Sequence, residues 1–385
     1  MMEKIKGKKI LILGGGFGGV QAAINARNEL DSSHSVSIID RSRMSYLCGM
    51  NPMLIIGKRQ ISKTGRSLGR LANRGINFIE SEINSIDLTK KNVNTSQGDF
   101  LFDYLVIALG AEYDIHAVPG SQNAYSFWDF QSARKLRRRL SRFKKGKIIL
   151  AAAKPPYKCP PAPLETAMLI NSWAREKNIR QNVDIHVYIP EPKPLGVAGQ
   201  EASQQITSDL ERRGIILHTS AGITKISANG KKAFFQDGSS SYAEVIAVIP
   251  VHKLPVAVQQ SGISGNKPWV PVNKKTLETT VENIFAIGDV NVIPTGDFAI
   301  PKAGVFASDQ GTTVGKIIAG RINNSQIPTY NGYGKCFLAY SMGTAAMVGG
   351  SFLEDSGPKT SLSRPSVSSM RIKETFESNW RNFKI

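Results

Sequence analysis

The segment Lys9-Ile10-Leu11-Ile12-Leu13 runs directly into Gly14-Gly15-Gly16-Phe17-Gly18-Gly19, and no other stretch restricts the fold so tightly. An apolar run without alternation predicts a strand buried on both faces, as in a parallel sheet. Gly14, Gly16 and Gly19 then take the spacing G-x-G-x-x-G. The first glycine allows a tight turn, the second lets backbone approach a pyrophosphate, and the third lets the next helix pack on the strand. That helix is expected over about 20–29. A second strand, over 36–39, delivers Asp40 about twenty residues beyond the glycines, where a ribose ligand belongs. The unit is βαβ and built for a dinucleotide.

Later segments extend this pattern. Two short antiparallel strand regions are expected over 77–86 and 92–102, and a buried strand over 104–108 ends at Leu109-Gly110. A basic helix follows, over about 130–145. Strands over 147–152, 184–189 and 244–249, with a helix over about 202–213, form a second α/β unit. The strand over 283–287 ends at Gly288-Asp289, and a long helix covers 305–321. The Ser-rich run 361–369 reads as a loop and the closing 372–383 as amphipathic. The expected fold class is α/β, with two Rossmann-like domains plus a small C-terminal domain. The expected boundaries are 1–113 with 265–330 for the first domain, 114–264 for the second, and 331–385 for the third.

Three features taken in order resemble the FAD-dependent pyridine nucleotide-disulfide oxidoreductase superfamily. They are the glycine motif, the strand end Ala108-Leu109-Gly110, and Glu282-Asn283-Ile284-Phe285-Ala286-Ile287-Gly288-Asp289. The resemblance implies FAD, with Gly14, Gly16, Gly19, Asp40, Ala108, Gly110, Gly288 and Asp289 in contact with it. Pro301-Lys302-Ala303-Gly304 is similar to the loop beside the flavin pyrimidine, which implies Lys302 as a stabiliser of the reduced ring and Gly304 as a neighbour. Lys302 on a solvated surface is the alternative.

The second α/β unit lacks the glycine turn. Its first strand runs into Lys154-Pro155-Pro156-Tyr157-Lys158-Cys159-Pro160-Pro161. Proline has no N–H to offer a pyrophosphate, so nicotinamide is not the expected electron donor. The stretch Tyr157 to Glu165 resembles the redox-cysteine segment of sulfide:quinone oxidoreductases and flavocytochrome c sulfide dehydrogenases. Tyr330-Asn331-Gly332-Tyr333-Gly334-Lys335-Cys336 resembles the segment carrying their second redox cysteine. The resemblance implies that sulfide attacks a bridge between Cys159 and Cys336, leaving a persulfide and a thiolate. Lys154 and Lys158 are expected to favour that thiolate. Glu165 aligns with an acid placed near the quinone or carrying protons; a helix N-terminal Glu favoured by the macrodipole is the alternative. Cys48 lies where the flavocytochrome branch makes a thioether to the flavin, and a small apolar residue packed on the ring is the other reading. Two buried structural thiols remain the alternative for the cysteine pair.

The chain carries 49 Lys and Arg against 30 Asp and Glu, a net charge of +19. Much of the excess crowds into 130–147, with Ala133, Leu136, Leu140 and Phe143 on one helical face. An anionic membrane surface or an acidic protein is the expected partner of this helix; a solvated face is the alternative. No motif accompanies it that would indicate nucleic acid. No apolar run reaches the roughly eighteen residues of a membrane-spanning helix. With only three cysteines and no signal-peptide core, the expected place is the cytoplasm, including the inner face of the cell membrane. Sulfide is the expected substrate and quinone the first acceptor, with a cytochrome c second. A type II NADH:quinone dehydrogenase and a non-enzymatic flavin-bearing docking or sensor protein are the rivals.

Overall fold

The computed structural model describes residues 7–354 and 356–385; the start of the basic N-terminus, 1–6, lies outside them. Lys9–Leu13 is the central strand of a five-stranded parallel sheet. Its neighbours are Ser35–Asp40 on one side and Tyr104–Ile107 on the other, with Asn77–Glu80 and Ile284–Ala286 at the edges. The chain leaves the central strand in one direction and returns on the other side, so a crevice opens beyond the carboxyl ends of these strands.

Besides the short helix Val256–Gln260, the helices in chain order are α1 (Phe17–Glu29), α2 (Asn51–Ile55), α3 (Phe130–Ser141), α4 (Ala162–Glu176), α5 (Gln200–Glu211), α6 (Gly304–Asn323) and α7 (Val367–Arg381). A second parallel sheet has the order Ile215–His218, Val183–Tyr188, Gly146–Ala152, Val245–Ile249. Gly146–Ala152, Val183–Tyr188 and Val245–Ile249 are largely buried, as α/β sheets covered on both faces require, while the edge strand Ile215–His218 is partly exposed. Tyr333–Ala339, Ala345–Ser351 and Lys359–Leu362 form an antiparallel sheet on which α7 packs.

Three expectations are corrected. Asn77–Glu80 is not part of an antiparallel excursion but the fifth strand of the first sheet; the excursion is the three-stranded meander Ile83–Asp87, Asn92–Thr95, Gly98–Leu101. The Ser-rich run is mostly ordered: it begins inside the strand Lys359–Leu362 and ends inside α7, whose N-cap Ser366 accepts the Ser369 N–H at 3.1 Å. The basic helix stops at Ser141: Arg142, its C-cap, leaves helical geometry at φ −106° and ψ 1°, while Phe143 still packs into the core with Leu140.

The first sheet is held in register with its helices by close backbone contact between α1 and α6. A Cβ on Gly311 would lie 2.1 Å from the Gly18 carbonyl oxygen, and one on Gly315 would lie 2.5 Å from that of Ala22. Alanine in a helix gains about 1 kcal/mol over glycine, but overpacking against backbone costs about 1–3 kcal/mol. With a contact of 2.1 Å the second effect wins. Gly311→Ala is expected to lower stability by about 2 kcal/mol, read as a fall in the urea midpoint at unchanged slope.

Candidate active site

The glycine turn has the geometry a pyrophosphate needs. Gly14 stands at φ +102°, and a Cβ there would lie 2.5 Å from the Ala108 carbonyl oxygen. Gly19 meets the Gly14 carbonyl so closely that its Cβ would fall at 1.9 Å, while Gly16 has open space where a side chain would stand. Gly16 is the N-cap of α1 and brings no capping side chain, so the first N–H groups of the helix are left for an anion. Asp40 accepts the Gly15 N–H at 2.7 Å and the Ser42 N–H at 2.9 Å. Burial pushes its carboxyl up, and these two donors offset the effect. Asp40 therefore braces the loop itself. Gly110 follows the next strand end, and Gly288 and Asp289 form a tight turn beyond Ile284–Ala286. The open space beside Gly16, the uncapped helix end and the converging strand ends fit FAD.

A cleft of about 770 Å³, open to solvent, lies beside this crevice. Cys48, Cys159 and Cys336 all line it, and so do Glu165 and Gly304. The three cysteines are free thiols. Cys159 arrives on the proline-rich loop after Gly146–Ala152, at φ +54°. Its N–H donates to the Lys302 carbonyl at 2.6 Å, which stitches the second α/β unit to the first. Cys336 arrives on the strand Tyr333–Ala339, and Cys48 on the short turn before α2.

Burial pushes the Cys159 thiol well up, and an ionised Cys336 or Glu165 would push it further. Burial likewise pushes Cys336 to about 12, with Glu165 adding to it. The expected lowering by Lys154 and Lys158 is thus corrected. Lys154 is exposed, and Lys158 donates to the Tyr113 hydroxyl with its ammonium 4.8 Å from that ring. Lys302 is also differently engaged. It is buried, does not line the cleft, and donates to the carbonyls of Asp289 at 2.6 Å and Asn291 at 2.9 Å, above the Trp269 ring. Burial lowers it to about 8.

Glu165, in the first turn of α4, is 3% exposed, and its Oε1 accepts no hydrogen bond. Burial raises its carboxyl to about 7, partly offset by Lys373, whose Nζ is 4.0 Å away. Lys373 also pairs with Glu377 at 3.0 Å, and Glu377 with Arg59 at 2.8 Å. Burial opposes charge on Lys373, but Glu165 and Glu377 outweigh it and hold the ammonium above its usual range. Sequence reading passed over Lys373, Glu377 and Arg59. The spacing of Lys373 and Glu377, one helical turn apart, was the available signal. Trp128, which also lines the cleft, donates to His252 Nε2 at 2.8 Å. Burial, with Lys158 nearby, holds His252 neutral down to about 3.

In the second unit, α4 begins where a dinucleotide would meet a helix N-terminus. Pro161 and Pro163 stand there without N–H groups, and the first turn carries Glu165. Tyr157 is buried over this strand end, its hydroxyl 3.3 Å from Glu191.

The model of the pyridine nucleotide-disulphide oxidoreductase family matches residues 8–150 and 163–311. The break, 151–162, covers the proline loop and Cys159. The mitochondrial sulfide:quinone oxidoreductase of Mus musculus is 23% identical over 86% of this chain and 75% of its own. A type II NADH:quinone oxidoreductase of Staphylococcus haemolyticus is 24% identical over 82% of this chain and 83% of its own. The crystal structure of the Aquifex aeolicus sulfide:quinone oxidoreductase superposes with TM-score 0.86 at 22% identity, over 98% of this chain and 92% of that one.

Replacing Lys373 by Met removes the cation nearest the Glu165 carboxyl. The Glu165 midpoint is then expected to move above about 7, read as a protonated-carboxyl infrared band that persists to higher pH and vanishes in Glu165→Gln.

Proposed function

Since the chain belongs to the pyridine nucleotide-disulphide oxidoreductase family and is an FAD-dependent oxidoreductase resembling the sulfide:quinone oxidoreductases, we propose that it oxidises sulfide at Cys159 and Cys336 and passes the electrons to a quinone. The observation that carries this reading is the convergence of two cysteines, distant in sequence, on one cleft beside the dinucleotide crevice. Gly14, Gly16, Gly19, Ala108, Gly110, Gly288 and Asp289 would hold FAD. When bound, FAD supplies the acceptor for two electrons.

The reaction starts from a sulfur bridge between Cys159 and Cys336. Hydrosulfide attacks one bridging sulfur, a new S–S bond forms and the bridge opens. The products are a persulfide on one cysteine and a thiolate on the other. Closing a longer bridge between them releases one proton and the two electrons that leave the site. The buried surroundings favour the bridge over two thiolates, because each ionised sulfur raises the cost of ionising the other. Glu165, held near neutrality, takes the proton. Lys373 faces Glu165 and compensates its charge when ionised.

The prolines, Tyr157 and Glu165 stand where nicotinamide dinucleotide would dock in the second unit, which favours sulfide over NADH as donor. The cleft wall of Phe17, Leu47 and Phe376 suits the apolar ring of a quinone. Cys48 lines the same cleft and is the candidate for a covalent bond to the cofactor. FAD that stays with the chain after acid denaturation supports that bond; colour that washes free excludes it.

Anaerobic mixing provides the test of donor and cysteines. Sulfide is expected to bleach the flavin of the holoenzyme rapidly, and NADH is not. Cys159→Ser and Cys336→Ser each abolish the sulfide response, and Glu165→Gln slows it by about a hundred-fold. Full activity in both serine variants overturns the mechanism, and rapid bleaching by NADH returns the chain to the type II dehydrogenase reading.

A further inference from the structure

Two lysines line the cleft, and only one of them is neutralised. Lys373 lies between Glu165 and Glu377. Lys158 meets no carboxylate within ion-pair distance among the described residues, and its ammonium donates to the Tyr113 hydroxyl. Tyr113 stands in the short strand Glu112–Asp114, three residues after Gly110, and is paired there with His252. Burial pushes the Tyr113 hydroxyl up and Lys158 only partly offsets it, so Tyr113 is neutral and brings no counter-charge. His252 brings none either. Its ring lies 5.1 Å from that of Tyr113, with Nε2 accepting from Trp128 and Nδ1 donating to the Pro250 carbonyl at 2.9 Å.

The place of this ammonium divides the cleft into two ends. After burial, the groups that weigh most on Cys159 are Cys336, Glu165, Cys48 and Lys373. Burial opposes charge on Lys158 too, but Tyr113, Cys48 and Asp289 hold its ammonium above its usual range. Lys158 directly precedes Cys159 in the chain, yet its charge acts on the residues assigned to FAD and not on the sulfur pair. We propose that Lys158, oriented by Tyr113, is the cation that stabilises FAD when it carries the two electrons. Reduction adds negative charge to the cofactor, and a fixed cation in an enclosed site stabilises such charge more than water does. The loop similarity implied Lys302 for this task, but that ammonium is taken by two carbonyls and does not line the cleft. A cation held out of water calls for an anion, and here one arises on reduction. Hydrosulfide is the rival anion, but it reacts at the sulfur end. The inference rests on the assignment of FAD to this crevice and not on sulfide as the donor.

Reductive titration of the FAD-loaded protein against reference dyes, read from flavin absorbance and without sulfide, tests it. Lys158→Met is expected to hold reduced FAD about ten-fold less tightly relative to oxidised FAD, which lowers the two-electron midpoint by about 30 mV. Lys158→Arg keeps the charge and restores most of the wild-type value. The fully reduced wild type is expected to show the near-ultraviolet spectrum of an anionic reduced ring, and Lys158→Met that of a protonated one. An unchanged midpoint in Lys158→Met overturns the proposal; joined to a raised KM for sulfide, it assigns the ammonium to hydrosulfide instead. An arginine variant that falls as far as the methionine variant overturns it as well, because the effect is then not one of charge. If Lys158→Met fails to retain FAD, the wild-type spectrum decides: an anionic reduced ring supports the proposal and a protonated one overturns it. Since no sulfide enters the titration, a failure here leaves the sulfide assignment standing, and the reverse holds too.

Discussion

The cost of charging groups held out of water governs this site. Glu165, Cys159, Cys336 and Lys373 share one cleft, and for each of them enclosure works against the charged form. The outcomes differ because the partners differ. Lys373 stays charged between two carboxylates, while for Glu165 burial outweighs Lys373 at 4.0 Å and raises its carboxyl to about 7. The thiols, with an acid and each other as neighbours, stay neutral. A site arranged in this way holds its sulfur in bridged or protonated form until an external anion arrives, and keeps a proton acceptor within the same walls.

Backbone packing gives that cleft its position. The contact of α1 with α6 at Gly311 sets the glycine turn under the helix N-terminus. The single bond from the Cys159 N–H to the Lys302 carbonyl ties the proline loop to the first unit. Lys302 in turn is anchored by its ammonium, which donates to the carbonyls of Asp289 and Asn291. The chain thus uses a cation to shape the main chain beside the cofactor site, not to face the cleft.

The parts of this arrangement that are written locally could be read from the sequence. A strand, a glycine turn and a helix follow one another without a break, so the dinucleotide crevice was legible at Gly14, Gly16 and Gly19. The missing glycines after Gly146–Ala152 were legible for the same reason. What depended on distance in space was not. Lys154 and Lys158 precede Cys159 by five residues and one residue, yet Lys154 is exposed and Lys158 donates to Tyr113. Lys373 and Glu377 lie in an amphipathic segment whose charged face would ordinarily meet water; α7 turns these two inward because the facing wall supplies Glu165 and Arg59. Asn77–Glu80 has the length of any short strand, and only pairing with Ser35–Asp40 makes it parallel.

The account rests on sulfur being carried between Cys159 and Cys336. Digestion of the sulfide-treated protein without reductant, followed by mass spectrometry, reads this directly. The account predicts the peptides containing these two cysteines joined through at least one added sulfur atom. Recovery of both peptides unlinked and unmodified, from protein whose flavin sulfide has fully reduced, contradicts it.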